Sequence, residues 1–442
     1  MTFENLRTFE QLRRSVRGDV LLPGDAGFDS AAQPWNVAVT QRVGAVVTVA
    51  DADDIAAVLA AARAAGVPVV TQPTGHGATG DVDGAILVRT GRFDGIEIDA
   101  EARVARVGSG ARWGAIQKAA AAHGLTGLAG SNPVVGVTGY TLGGGAGWFA
   151  RRYGWASDAV RAFEIVAADG RPARITADSD SELFWALRGG GGDFAVVTGI
   201  EFELFPVPAV YGGRVLFPGE RTEQVWETFQ KLTADAPDAL SVWFQRVQIP
   251  GSPELVGLDL AYLGAVEEGR ELVAVVDRLG GAVSDNRGLL PVDRVGEITA
   301  EPTDPSPALS HAELLTDLGH EVTKILVREP VTPLLNIQVR HLGGALATAN
   351  PAGAARGPVA EPYLLYLLGL GLPQLRAAVS AKLRAVVDAL GEHAPGHKPY
   401  TFLGAADTAA AAFDDATLAR LRAVKRDRDP QGVIRANFPV LG

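Results

Sequence analysis

The chain has 442 residues, 40 Lys and Arg against 51 Asp and Glu, and a formal net charge of −11. The length allows two or three domains, and 47% hydrophobic residues support a packed core rather than disorder. The acidic balance argues against a nucleic-acid partner, because no basic face offsets phosphate charge. Cysteine is absent, which removes disulfides, thiolate metal sites, cysteine nucleophiles and any cysteinyl cofactor link.

Residues 1–17 mix charge with scattered Leu and Phe and contain no apolar h-region, so no signal peptide is read there. No run reaches the roughly 18 apolar residues of a membrane helix. The expectation is a cytoplasmic protein with no membrane partner; the oligomeric state is not legible. A short buried strand, Val46 to Val49, comes first. Asp51 then caps a helix whose Ile55, Val58, Leu59 and Ala62 recur at helical spacing, and Gly66 closes it ahead of Pro68. Val67 to Val70 is the next strand, Thr71 to Gly80 a loop, Ala85 to Val88 a strand and Ile96 to Val107 a hairpin. Trp113 to His123 reads as a helix closed by Gly124. Val160 to Ala168 and Ala173 to Thr176 pair across Asp169-Gly170, and Ser179 with Glu182 forms a capping box before Leu183.

Beyond Pro208 the pattern changes. Strand, strand, helix occurs twice: Val242 to Ile249, Leu255 to Leu263 and a helix near 266–280; then Leu334 to His341, Tyr363 to Leu370 and a helix near 373–390. That helix carries Leu375, Val379, Leu383, Val386 and Leu390 on one face. Such units predict an antiparallel sheet covered by helices on one side. Glu301 to Pro307 is a loop. One more helix, near 416–425, precedes an irregular tail, and the basic run Lys425, Arg426 and Arg428 reads as its solvated end.

Glycine stands out, at 53 residues, in two dense clusters. The first is Thr71, Pro73, Thr74, Gly75, His76, Gly77, Ala78, Thr79 and Gly80. The second runs through Gly136, Thr138, Gly139, Tyr140, Gly143, Gly144, Gly145, Gly147 and Trp148. Glycine runs let backbone amides converge on an anion. Gly75, Gly77 and Gly80 match the dinucleotide fingerprint, with Glu97 and Asp99 about 20 residues on. That fingerprint needs a helix opening at its third glycine, whereas Asp81 onward reads as turn and strand. A dinucleotide is therefore expected in a loop between strands, with a nicotinamide site on a helix as the rival.

These residues carry a resemblance. The chain resembles the FAD-linked oxidoreductases of the vanillyl-alcohol oxidase and p-cresol methylhydroxylase (PCMH) superfamily, in their berberine bridge enzyme-like branch. The carriers are Gly75-His76 in its loop; Asn132 to Gly145 followed by Tyr153 to Asp158; Leu183 to Thr198; and Val424 to Pro430 with Asn437. The resemblance implies an α+β protein in two parts. Residues 1–205 would form a two-subdomain α/β PCMH-type FAD domain and 206–400 a substrate domain with an antiparallel sheet. The 401–442 segment would return to the FAD domain. It implies FAD attached through its 8α position to His76. The cofactor-binding set extends to Ser131, Asn132, Val135, Val197 and Asn437. Asn132 stands where many relatives carry a second attaching cysteine. Val135 would lie beside flavin C4a and admit O2, and Tyr140 would tune the flavin.

The implied activity is an oxidase taking a hydride from a small organic substrate onto flavin N5, with O2 restoring the flavin and yielding hydrogen peroxide. A flavin dehydrogenase using another acceptor, or a flavin-binding protein without turnover, are the alternatives. Asn336, Gln338 and Arg340 share one strand face, opposite Ile337, Val339 and His341. That polar face either lines a cavity or meets solvent. Tyr366, with Arg340 as a cation lowering its pKa, is the candidate base; Tyr400 is a further catalytic candidate, and Trp243 and Gln245 are pocket candidates.

Overall fold

The computed structural model describes residues 3–442, with side chains from Thr8 onward. The first sheet has the order Asp19–Leu21, Ala45–Thr48, Ile86–Arg89, Val69–Thr71, the last three parallel. Helix Ala52–Ala65 covers one face. Asp51 begins it by accepting from the amides of Asp53 and Asp54, and Gly66 ends it at φ 65°. Its Ile55, Val58, Leu59 and Ala62 pack on Val47, Ile86 and Val88, while Val46, Val70 and Leu87 serve a second core on the far face. Burial on both faces explains the unbroken valine run.

Val69–Thr71 and Ile86–Arg89 are parallel neighbours, yet residues 72–85 between them contain no helix. A helix is the usual connection there. Its absence removes the helix N-terminus that a nicotinamide fingerprint requires, and leaves an open loop at the sheet's end.

The second sheet, Ile96–Asp99, Val104–Gly108, Val196–Glu203, Val160–Val166, Pro172–Ile175, is antiparallel throughout and contains both predicted hairpins. Trp113 and Ile116 of helix Trp113–Ala121, and Leu183 and Phe184 of helix Ser181–Leu187, pack into the same core. The cap of the latter is Asp180, accepting from Leu183 N, and not the expected Ser179. Ser179 instead accepts from Thr176 N and closes the preceding turn.

The third sheet is antiparallel, in the order Ser284–Asp285, Ala209–Pro218, Leu255–Tyr262, Leu240–Val247, Leu334–His341, Tyr363–Leu370, Ala308–Leu315. Helices Thr222–Ala234, Val266–Asp277 and Arg376–Leu390 pack their apolar sides on one face of it. Ile337 and Val339 point into that helical layer. The opposite face meets the first half of the molecule, where Trp243 stacks on Trp148 at 3.8 Å between ring centroids. Strands Ala209–Pro218 and Ala308–Leu315 and helix Thr222–Ala234 are additions to the pattern expected from sequence.

The last helix, Asp415–Arg428, ends in a basic run that is exposed at Arg426 and Arg428, as expected, but not at Lys425. Lys425 is buried, and its ammonium donates to Asp193 O at 2.6 Å, Asp429 Oδ2 at 2.8 Å and the Ile434 carbonyl. Asp193 in turn accepts from the amides of Ala436 and Val440. This network holds the tail against the first sheet, where Val69 N donates to Val433 O at 2.7 Å and Arg435 N to Val69 O at 2.9 Å.

Candidate active site

Three chain segments converge at the end of the first sheet. The 71–80 loop turns at Gly75, φ 79°, where a Cβ would lie 2.8 Å from Pro34 Cβ; only glycine fits. Gly136 of the second glycine cluster abuts Pro73 and Thr74 from one side. Asn437 of the tail approaches from the other, its amide nitrogen 3.6 Å from where a Gly77 Cβ would stand. A cleft of about 540 Å³ opens here, lined by His76, Gly77, Ala78, Thr79, Ser310 and Phe438 among others.

His76 is held firmly. Trp35 stacks on its ring at 4.4 Å, and Thr74 Oγ1 hydrogen-bonds Nδ1 at 2.8 Å. Burial, and then the charge of Arg112, lowers its pKa to about 4, so the imidazole is neutral near pH 7. Its Nε2 is buried without a partner. The Asn437 carbonyl oxygen and the Thr71 hydroxyl are likewise buried and unpartnered. Of these three residues His76 lines the cleft itself, and Asn437 stands beside Gly77 of its lining.

The second cluster is a packed platform. Asn132 donates to Pro302 O at 2.9 Å and accepts from Val134 N, so this loop is tied to the 301–307 loop of the other half. Ser131 is buried beside it. Val135 is partly buried, its carbonyl accepting from Trp113 N. Thr138 donates to Ser109 O at 2.9 Å. Gly139 has open space where a Cβ would be, whereas a Cβ on Gly147 would lie 1.9 Å from Ala129 O. Gly143 abuts Thr401, and Gly144 abuts Trp155 and Arg356. The Tyr140 hydroxyl is buried and unpartnered, and burial raises its pKa. Val197 is buried within strand Val196–Glu203. Gly80 takes φ 88° against Thr40 O.

The polar face of the third sheet carries the rest. Gln338 pairs in register with both Gln245 and Tyr366, and Arg340 with both Trp243 and Leu364. It is buried, not solvated: Gln245 is 1% and Gln338 5% exposed. The Arg340 guanidinium lies 4.0 Å over the Trp243 ring and 5.5 Å from those of Tyr366 and Phe402. The Tyr366 hydroxyl bonds to Ser310, and burial raises its pKa against the opposing pull of Ser310 and Arg340. The cation thus sits over the ring rather than at the hydroxyl, and the pKa lowering expected from it does not prevail.

Tyr400 is placed differently. Its hydroxyl donates to Phe438 O at 3.3 Å, its ring packs edge-on to Phe438, and burial raises its pKa. It is Phe402, two residues on, that reaches the Arg340 cage. His341 projects to the opposite face. Its Nε2 faces Arg151 at 3.1 Å, and burial with that charge lowers its pKa to about 3. Trp35, Ser310 and Phe402 are the contributors that sequence reasoning missed; each is recruited by tertiary contact. Among the described residues, no group of three or more His, Asp or Glu is placed to hold a metal ion.

Residues 43–176 match the FAD binding domain family. The chain is 28% identical to the (R)-6-hydroxynicotine oxidase of Paenarthrobacter nicotinovorans, over 96% of this chain and 97% of that one. Among solved structures it resembles Physcomitrella patens BBE-like 1, with a TM-score of 0.86 at 19% identity over 98% of both chains. It also resembles the xylooligosaccharide oxidase of Myceliophthora thermophila C1, with a TM-score of 0.84 at 20% identity over 99% of both. The fold and the converging loops define an FAD-binding oxidoreductase. The chain carries the sequence of an FAD binding domain over residues 43–176 and the fold of a BBE-like protein. Its residues fit that cofactor: amide-rich glycine loops suit a pyrophosphate, His76 of the cleft lining has an unpartnered Nε2, and Asn437, its side-chain oxygen also unpartnered, stands beside Gly77.

Proposed function

We propose that the chain is an FAD-dependent oxidase of small organic substrates. Residues 1–205 with the 401–442 segment would hold the cofactor, and 206–400 would present the substrate. The observation that supports this reading is the packing of Gly136 of the second glycine cluster and of Asn437 against the first glycine loop, which lines the cleft, with the second cluster tied to the other half through the Asn132–Pro302 contact. When bound, FAD supplies a hydride acceptor and, once reduced, a two-electron donor to O2. The protein's share is positioning and proton management. Tyr366 is the proposed proton acceptor, a phenol in a dry site with Ser310 and Arg340 favouring its ionised form. Relatives act on molecules as different as hydroxynicotine and xylooligosaccharides by their names, so the substrate is set by the sheet face rather than by the loops.

His76 is the proposed attachment residue. Thr74 engages Nδ1, burial keeps the ring neutral, and Nε2 is the free nitrogen. Asn132 and the absence of cysteine leave no second attachment of the family's kind. Peroxide release under a substrate panel tests the oxidase reading; a flavin-loaded protein that reduces with substrate yet persists reduced in air refutes it. Acid precipitation tests the bond: colour should stay in the pellet, and His76→Ala should release FAD on denaturation while binding it natively. A colourless pellet from the parent protein removes His76 from that role.

A further inference from the structure

Among the described residues, the deeply buried cations find partners, with one exception. Arg188, Arg246, Arg356, Lys398 and Lys425 each direct a terminal nitrogen at a carbonyl or carboxylate, and Arg151 points two at backbone carbonyls. Arg340, 9% exposed, makes one hydrogen bond, from Nε to Gln338 Oε1 at 2.6 Å. Its two terminal nitrogens meet no hydrogen-bond acceptor among the described residues. The buried carboxylate that acts on it, Asp259, is already taken: it accepts from Arg214 at 2.6 and 3.0 Å and from Gln245 at 2.9 Å. Glu301, on the loop tied to Asn132, acts on Arg340 only at a distance.

A buried charge without a counter-ion is costly, and a guanidinium presents a planar fork matched to a carboxylate or another anionic oxygen. Three aromatic rings fix the plane of this fork, and the sheet register places it on the face that meets the flavin loops. Tyr140 of the second glycine cluster is within electrostatic reach, with its hydroxyl also unpartnered. We propose that Arg340 is the substrate-binding cation, and that the substrate class carries an anionic oxygen, a carboxylate or an acidic phenol or enol, which docks on its two free nitrogens. This rests on the oxidase reading of the same site, naming the substrate class within it.

The test uses the oxidised flavin-loaded protein and reads binding, not turnover, so it is separate from the peroxide assay. Benzoate, nicotinate and salicylate are titrated against benzamide and benzylamine, following the flavin absorption spectrum and the Tm. At least one anion should bind saturably and more tightly than benzamide or benzylamine. Arg340→Met should weaken that anion about 30-fold or more and alter benzamide binding less than about 3-fold, with Arg340→Lys between. The Arg340→Met protein without probe should melt no lower than the parent, because a buried uncompensated charge has been removed. The proposal is overturned if no anion of the set changes spectrum or Tm, if benzylamine binds in preference, or if the variant binds anions as well as the parent. A fall in Tm of several degrees on Arg340→Met would make the residue a structural strut and would equally overturn it.

Discussion

Lys425→Met isolates the contribution of the tail to the cofactor cleft. Lys425 is 3% exposed, and its ammonium donates to Asp193 O, Asp429 Oδ2 and Ile434 O, with Asp193 Oδ1 at 3.6 Å. Methionine preserves the stem and removes the charge. Asp429, 2% exposed, and Asp193, 1% exposed, then lose their cation and keep only backbone amides as donors. Removing one member of a buried ion pair costs about 3–5 kcal/mol. That exceeds the worth of the two tail–strand hydrogen bonds at Val69, about 1 kcal/mol each. The tail should therefore detach before the rest of the molecule unfolds. Hydrogen exchange should show residues 430–440 losing protection by two or more orders of magnitude, and the purified protein should hold less flavin because Asn437 leaves the cleft. Unchanged exchange in that segment with full flavin content would refute the argument, and Lys425 would return to a dispensable helix end.

Tyr366→Phe should slow flavin reduction by substrate roughly 100-fold, read by stopped-flow absorbance under anaerobic conditions, if this phenol takes the proton; an unchanged rate returns it to packing. Val135→Leu should slow reoxidation in air about 10-fold or more while leaving reduction nearly intact, since the larger side chain fills space beside the second glycine loop; equal reoxidation rates would dismiss Val135 as the gate. His341 sits neutral with its pKa lowered from 6.5 to about 3. The unfolded chain therefore binds a proton the native state refuses, so stability falls as pH drops below about 6.5 and the loss levels off near pH 3. His341→Gln should flatten that part of a urea-unfolding pH profile, and an identical slope in the variant would show that other groups govern it.

Much of this architecture was written locally. The Asp51 cap, the Gly66 stop and both hairpins of the second sheet rest on interactions within a few residues, and they stand where the sequence places them. The absence of a helix after Gly80 was equally legible. Strand Ala308–Leu315 was not: its Ala, Glu and Leu are good helix formers, and the strand is imposed by pairing with Tyr363–Leu370 while Glu313 is neutralised by Lys398 from another segment. Strand Ala209–Pro218 is hidden by Gly212 and Gly213, which admit close neighbours rather than announce a strand. Helix Thr222–Ala234, by contrast, carries Val225, Trp226, Phe229 and Leu232 at helical spacing, a signal present in the sequence and outweighed by the strand–strand–helix pattern around it. At the site, the loops were readable because glycine is demanded by backbone geometry. Lys425 misled because burial of a lysine depends on Asp193, distant in sequence. Trp35 and Phe402 gave no local hint, since each acts only where the chain folds back on itself.

Strand Val69–Thr71 lies at the margin of the first sheet, and Val433 to Arg435 cover its outward amide and carbonyl groups. While that cover is missing, the margin is an unpaired strand able to recruit another chain. During synthesis the glycine loop and His76 emerge long before the segment that closes them off. The nascent molecule thus passes through a stage with a sticky sheet border and a three-walled cofactor pocket. Fusing a copy of residues 415–442 behind residues 1–205 is the arrangement by which an excised cofactor half could stay soluble, whereas residues 1–205 alone should aggregate.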